Sequence, residues 1–129
     1  MTAAELKQYR SICREIEENE EELERQTAAD TVTASDAQFP FIKHSVTVRG
    51  IIPDERNRQR LEHIAALRRQ KKRIESFAAG IDDSITRRIF ELRYIKGDFA
   101  PSWEAVAQAI GGMNTADGVR KTAARFLRR

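Results

Sequence analysis

Apolar residues near the start of the chain recur at alternating intervals of three and four. Leu6, Tyr9, Cys13, Ile16 and Leu23 carry the series, with Glu20 and Thr27 completing it. This is coiled-coil spacing, because contacts about 3.5 residues apart keep one stripe of a helix facing its partner. Ile12 widens the stripe, and no glycine or proline interrupts it, so an amphipathic helix is predicted over 3–27. Residues 28–53 lose the period and form an irregular insert. Within it, β-branching and alternation across Ser45, Val46, Thr47 and Val48 predict a short strand. Phe39 and Phe41 read as anchors pinning that insert to a core. A second long helix is expected from Asp54, its N-cap, to about Ala79, with Gly80 closing it through a positive φ. Its seam is Ile64, Leu67, Lys71, Ile74, Ala78 and Ile81, flanked by Leu61 and Phe77.

Two seams of matching length predict an antiparallel helical hairpin. In the simplest register Leu6 lies near Ile81, Cys13 near Ile74 and Leu23 near Ile64. Each seam carries one charged residue, so Glu20 and Lys71 are expected to form an ion pair, within one chain or across a homodimer. Such a pair costs stability but fixes register and partner number.

The remaining pattern is shorter. Asp82, Asp83 and Ser84 start a helix whose apolar face is Ile85, Ile89, Leu92 and Ile95, broadened by Phe90 and Tyr94. A loop leads to Ser102, an N-cap, and to a helix bearing Trp103, Val106, Ala107 and Ile110. Gly111 and Gly112 then turn the chain, and Asn114 or Thr115 caps a last helix containing Val119, Ala123, Phe126 and Leu127. Helix, short helix, glycine turn and helix make the layout of a helix-turn-helix, whose second member lies in the major groove of DNA. The fold class is therefore all-α, with a hairpin over 1–81 and a helix-turn-helix over 82–129.

Charge changes this picture more than composition does. The net charge is only +3, but it is unevenly spread. Residues 1–30 hold four basic and nine acidic side chains, 31–81 ten and five, and 82–129 nine and six. In the last fifteen residues Arg120, Lys121, Arg125, Arg128 and Arg129 face only Asp117. The run Arg68, Arg69, Lys71, Lys72 and Arg73 is a second basic cluster, explained more simply as complementing the acidic first helix than as a DNA surface. Cys13 is the sole cysteine and His44 and His63 the only histidines, so no disulfide framework, metal site or hydrolytic triad assembles. No cofactor and no enzyme activity are expected. The opening residues lack the apolar core of a secretory signal, and a cytoplasmic protein without membrane contact is expected.

The candidate DNA-binding residues are Asn114, Thr115, Asp117, Arg120, Lys121 and Arg125. Arg120 could place a bidentate pair on guanine, while Lys121 and Arg125 read as phosphate contacts. Asn114 and Thr115 either touch bases or phosphate or serve as caps. Asp117 either accepts from a cytosine amino group or completes a capping box with Asn114. Gly118 is expected to permit close approach of the preceding helix. Trp103 is expected to fill the core between the three C-terminal helices, with Val106, Ile110, Val119 and Phe126 beside it. Arg87, Arg88 and Arg93 read as the exposed face of their helix.

The run RRIFELRYIKGDFAPSWEAVAQAIGG followed by MNTADGVRKTAARFL resembles region 4 of bacterial sigma factors. It is still more similar to small sigma-like regulators encoded by phages and prophages of Gram-positive bacteria. LKQYRSICREIEENEEELER and FPFIKHSVTVRG are similar to the front part of such proteins. From Gly111 to Val119 the turn is longer than in that family. The resemblance implies a transcriptional regulator that binds promoter DNA and contacts RNA polymerase. Two other functions fit the residues: a small terminase subunit recognising packaging DNA, and a coiled-coil adaptor that binds no DNA.

Overall fold

The structure, a computed structural model, describes residues 1–35 and 55–128, and the side chains of 1–26 and 55–128. The described residues are mostly helical and contain no strand, in keeping with the all-α class. Among them six α-helices succeed one another: α1 (Ala3–Lys7), α2 (Tyr9–Ser35), α3 (Glu55–Ala79), α4 (Ser84–Phe90), α5 (Trp103–Ile110) and α6 (Ala116–Leu127). A π-helical turn, Glu91–Ile95, continues α4. None of these helices is long and apolar enough to cross a membrane. The chain divides into two compact units, one of 1–13 with 70–129, the other of 14–69.

The expected loop at 28–53 is corrected at its start, because α2 continues through Ser35. Ala28, Ala29 and Ala34 favour helix, and no glycine or proline occurs before Pro40. The expected strand at Ser45, Val46, Thr47 and Val48, the anchors Phe39 and Phe41, and the Asp54 cap lie outside the described residues.

In the unit of 14–69, the seam positions Ile16, Leu23, Ile64 and Leu67 are buried. Around them run charged contacts between the two helices: Glu15 with His63 at 3.0 Å, Glu22 with Arg60 at 3.9 Å, and Glu20 with Arg68. Arg68 thus takes the place expected of Lys71. It stands about one turn earlier on α3, and its longer, forked side chain can meet the carboxylate from outside the seam.

The larger unit is organised around Phe90, which is fully buried. Its ring meets Phe77 and Phe126 edge-on at centroid distances of 5.8 and 5.5 Å, and Tyr94 at 5.8 Å. Leu6, Ile74, Ala78, Ile81, Ile89, Val106, Ala107, Val119 and Ala123 complete the core. Burying a ring such as Phe90 contributes about 1.5–3 kcal/mol. Phe90 and Tyr94, expected to broaden the apolar face, are buried, and two expectations are corrected. Ile85, expected on that face, is 48% exposed. Trp103 is half-buried rather than central, and Ile110 and Phe126 are likewise only partly covered.

The π turn closes α4. The amide of Lys96 donates to the carbonyl of Glu91, five residues back, at 2.8 Å. One extra residue in the turn rotates the backbone beyond it and leaves carbonyls without their usual helical donors. The Arg10 guanidinium supplies donors instead, reaching the carbonyl oxygens of Lys96 at 2.7 Å, Arg93 at 2.9 Å, Gly97 at 3.2 Å and Leu92 at 3.4 Å. Partial burial, with the nearby Arg93 charge second, lowers the Arg10 pKa from its ordinary value. Beside it, the Tyr9 hydroxyl donates to Glu75 Oε2 at 2.5 Å.

Helix ends obey local chemistry. Asp83 caps α4, accepting from the Thr86 amide at 2.9 Å and hydroxyl at 2.8 Å. Gly80 ends α3 as expected but without a positive φ; an added Cβ there would sit 3.2 Å from the Ser76 carbonyl oxygen.

Candidate nucleic-acid interface

Helices α5 and α6 pack on each other across a turn from Gly111 to Thr115. Ser102 starts α5 by accepting from the Ala105 amide at 3.1 Å. Gly111 and Gly112 then take φ of 81° and 66°, a conformation that strains any residue with a Cβ. Asn114 closes the turn, its side-chain amide donating to the Gly111 carbonyl at 2.8 Å. Thr115 is the N-cap of α6, accepting from the Gly118 amide at 3.0 Å. The capping box expected of Asn114 and Asp117 is therefore corrected. Asn114 stands one position outside the helix, and Asp117 turns away to the cations of the next turn.

Asp117 accepts from both neighbours on its face. Its Oδ1 lies 2.5 Å from Arg120 Nη2 and its Oδ2 lies 2.9 Å from Lys121 Nζ. The hydrogen bond from Lys121, then that from Arg120, holds the Asp117 carboxyl below the usual carboxylate range. All three side chains are more than half exposed, so the contacts are open to solvent and to competitors.

Beyond Asp117 the face is purely basic. Lys121, Arg125 and Arg128 fall at helical intervals and line a concavity of about 490 Å³. Arg125 also borders a second concavity of about 540 Å³, shared with Asp82 and Asp83 at the start of α4. Arg129 lies outside the described residues. Arg120 turns the other way, lining a smaller hollow of about 190 Å³ with Trp103, Arg93, Tyr94 and Lys7. The structure thus gathers Asp117, Arg120, Lys121 and Arg125 on successive turns of one helix, with Asn114 and Thr115 at its leading edge. Met113, on the turn beside them, is 99% exposed.

Gly118 differs from expectation. A Cβ there would meet only the Thr115 hydroxyl oxygen, at 3.0 Å, and nothing from α5. The glycine makes room for the cap rather than for a neighbouring helix.

The arginines of α4 and the π turn are not simply an outer face. The Arg93 guanidinium stacks over Trp103, 4.5 Å from the ring centroid, and donates to the Pro101 carbonyl. Arg87 donates to the Ile81 carbonyl at 2.8 Å and Arg88 to that of Ala109 at 3.4 Å. These cations hold loops and helix ends. Arg10 and Arg93 were invisible as such in the sequence, since their partners are backbone carbonyls, which carry no residue signature. In α3, Arg68 and Arg73 are taken by Glu20 and Glu5 of the acidic first segment. Among the described residues no group of histidine, cysteine, aspartate and glutamate is placed to hold a metal ion. No protein-family model, curated protein or solved structure matches the chain.

Proposed function

We propose that this protein is a sequence-specific regulator of phage or prophage transcription. In this reading α5 and α6 form a helix-turn-helix of the sigma-region-4 kind, with α6 entering the major groove of double-stranded DNA. The observation that carries it is the face of Lys121, Arg125 and Arg128, a concavity lined, among the described residues, by cations alone. Cations at these intervals match successive phosphates along one groove wall, and release of condensed counterions would drive the association. Arg120, at the first full turn, is the side chain suited to guanine, and Asn114 and Thr115 sit where base edges or phosphate would meet the leading turn. The Glu15–His63, Glu20–Arg68 and Glu22–Arg60 contacts support an antiparallel hairpin of α2 and α3, a device suited to homodimer formation or to a second partner such as RNA polymerase. The protein acts in the cytoplasm by binding rather than by catalysis and needs no cofactor.

The test is selection of duplexes from a random pool at about 50 mM salt, and then a salt titration of the duplex recovered. A defined consensus and a log–log salt slope of about −3 or steeper are expected, as three or more phosphate contacts require. Failure to retain any duplex at that low salt would overturn the reading in favour of a protein-docking adaptor. A ring of many chains bound to the recovered duplex would overturn the regulatory role in favour of genome packaging.

A further inference from the structure

We infer that Asp117 is a positioning residue that makes α6 selective, by orienting Arg120 toward bases and offsetting the charge that Lys121 offers to phosphates. The inference rests on the DNA-binding reading and concerns its specificity. One carboxylate binds both Arg120 and Lys121 with separate oxygens, at 2.5 and 2.9 Å. These two cations point to different tasks. Lys121 shares the concavity of Arg125 and Arg128, whereas Arg120 lies on the side of Trp103. Asp117 therefore stands between the cation-lined concavity and the hollow that Arg120 shares with Trp103.

The arrangement has two physical consequences. An arginine held by a carboxylate through one nitrogen keeps its remaining donors in a defined orientation, so less freedom is lost when the planar fork meets the O6 and N7 acceptors of guanine. An unrestrained arginine is free to swing onto the nearest phosphate, which carries no sequence information. The same carboxylate neutralises Lys121 and repels phosphates, so a complex made through the backbone alone is weakened. A duplex that also satisfies Arg120 through its bases regains what that repulsion removes. Discrimination arises from weakening the wrong complex as well as from strengthening the right one.

The experiment compares the full chain with Asp117→Asn and Asp117→Glu, using the duplex recovered by selection and a scrambled duplex of equal length. Fluorescence anisotropy over a salt series gives affinity and salt slope for each. With Asp117→Asn, affinity for the scrambled duplex should rise several-fold, and its salt slope should steepen by about one, as expected when one more cation reaches phosphate. The ratio of selected to scrambled affinity should fall about tenfold, within the range of one bidentate base contact. Asp117→Glu, which keeps the charge, should restore most of that ratio. Equal gains on both duplexes, with the ratio unchanged, would overturn the inference while leaving the DNA-binding reading intact. A wild-type chain that binds neither duplex would overturn that reading and the inference with it. Circular dichroism of each variant confirms that α6 is retained.

Discussion

The basic residues of α3 and those of α6 are similar in density and opposite in circumstance. On α3, Arg58, Arg60, Arg68 and Arg73 each meet a carboxylate, three of them across to the acidic first segment. On α6 a single carboxylate serves Arg120 and Lys121, and among the described residues Arg125 and Arg128 meet none. On α3 the charge of these four arginines is met within the molecule. On α6 it is left facing outward, at the end of a helix fixed by a packed core. A count of lysines and arginines along the chain does not separate the two; the supply of carboxylates within reach does.

The largest effect is expected in the core beneath α6. Phe90→Ala removes the ring shared by Phe77, Tyr94 and Phe126, and should destabilise the larger unit by about 3–5 kcal/mol. Thermal denaturation monitored by far-ultraviolet circular dichroism measures this. A loss below about 1 kcal/mol would mean that the platform under α6 is held by something other than this cluster.

Charge removal sharpens the contrast directly. Lys121→Ala with Arg125→Ala should make the salt slope for DNA less steep by about one to two and weaken binding to selected and scrambled duplexes. Arg68→Ala with Arg69→Ala should leave the slope unchanged and cost about 1 kcal/mol or less of stability, as exposed ion pairs do. If the α3 pair alters the DNA salt slope as much as the α6 pair, the distinction between them fails.

A smaller effect is expected at Arg10. Replacing it with alanine strips four backbone carbonyls of their guanidinium donor and should cost about 1–3 kcal/mol. Water can reach these partly exposed groups, which sets the lower end. Hydrogen exchange should show the loss concentrated between Glu91 and Gly97, and uniform loss across the chain would contradict a local cap.

The smallest effects come from pH. The Thr86 amide and hydroxyl hold the Asp83 carboxyl below its ordinary range. A depressed native pKa contributes stability that is complete above the unfolded carboxylate pKa and is lost as pH falls through the native one. Tyr9 acts in the opposite sense. Burial, and then its bond to Glu75, raises its pKa, so its contribution is complete below about pH 10 and disappears as the solution becomes more alkaline. Asp83→Asn should flatten the acid limb of a stability profile and Tyr9→Phe the alkaline limb.

The sequence was legible where period alone decides the outcome. Leu6, Tyr9, Ile16, Leu23, Ile64, Leu67, Ile74, Ala78 and Ile81 are all buried, because a stripe of apolar residues leaves a helix only one face to cover. It was less legible where side-chain reach chooses between neighbours. Glu20 takes Arg68 although Lys71 lies in the seam, and Thr115 caps α6 although Asn114 is an equally good capping residue by type. It was silent about the π turn and about Arg10, since no residue pattern announces a helix that widens by one residue or a guanidinium that answers carbonyls more than eighty positions away. At the candidate interface, the cations and their carboxylate were identifiable by type. Their mutual engagement is a matter of geometry.

The bond from Arg10 to Gly97 also bears on the order in which the chain can be assembled. Its two ends are separated by 87 positions, and those joined by Tyr9 and Glu75 by 66. A nascent polypeptide therefore holds its opening segment in waiting until residues past Gly97 have left the ribosome. The intervening stretch, whose contacts are nearer in sequence, is free to settle first, since short closures cost less entropy than long ones. A shortened product that begins after Cys13 would lack this clasp at every stage of its synthesis.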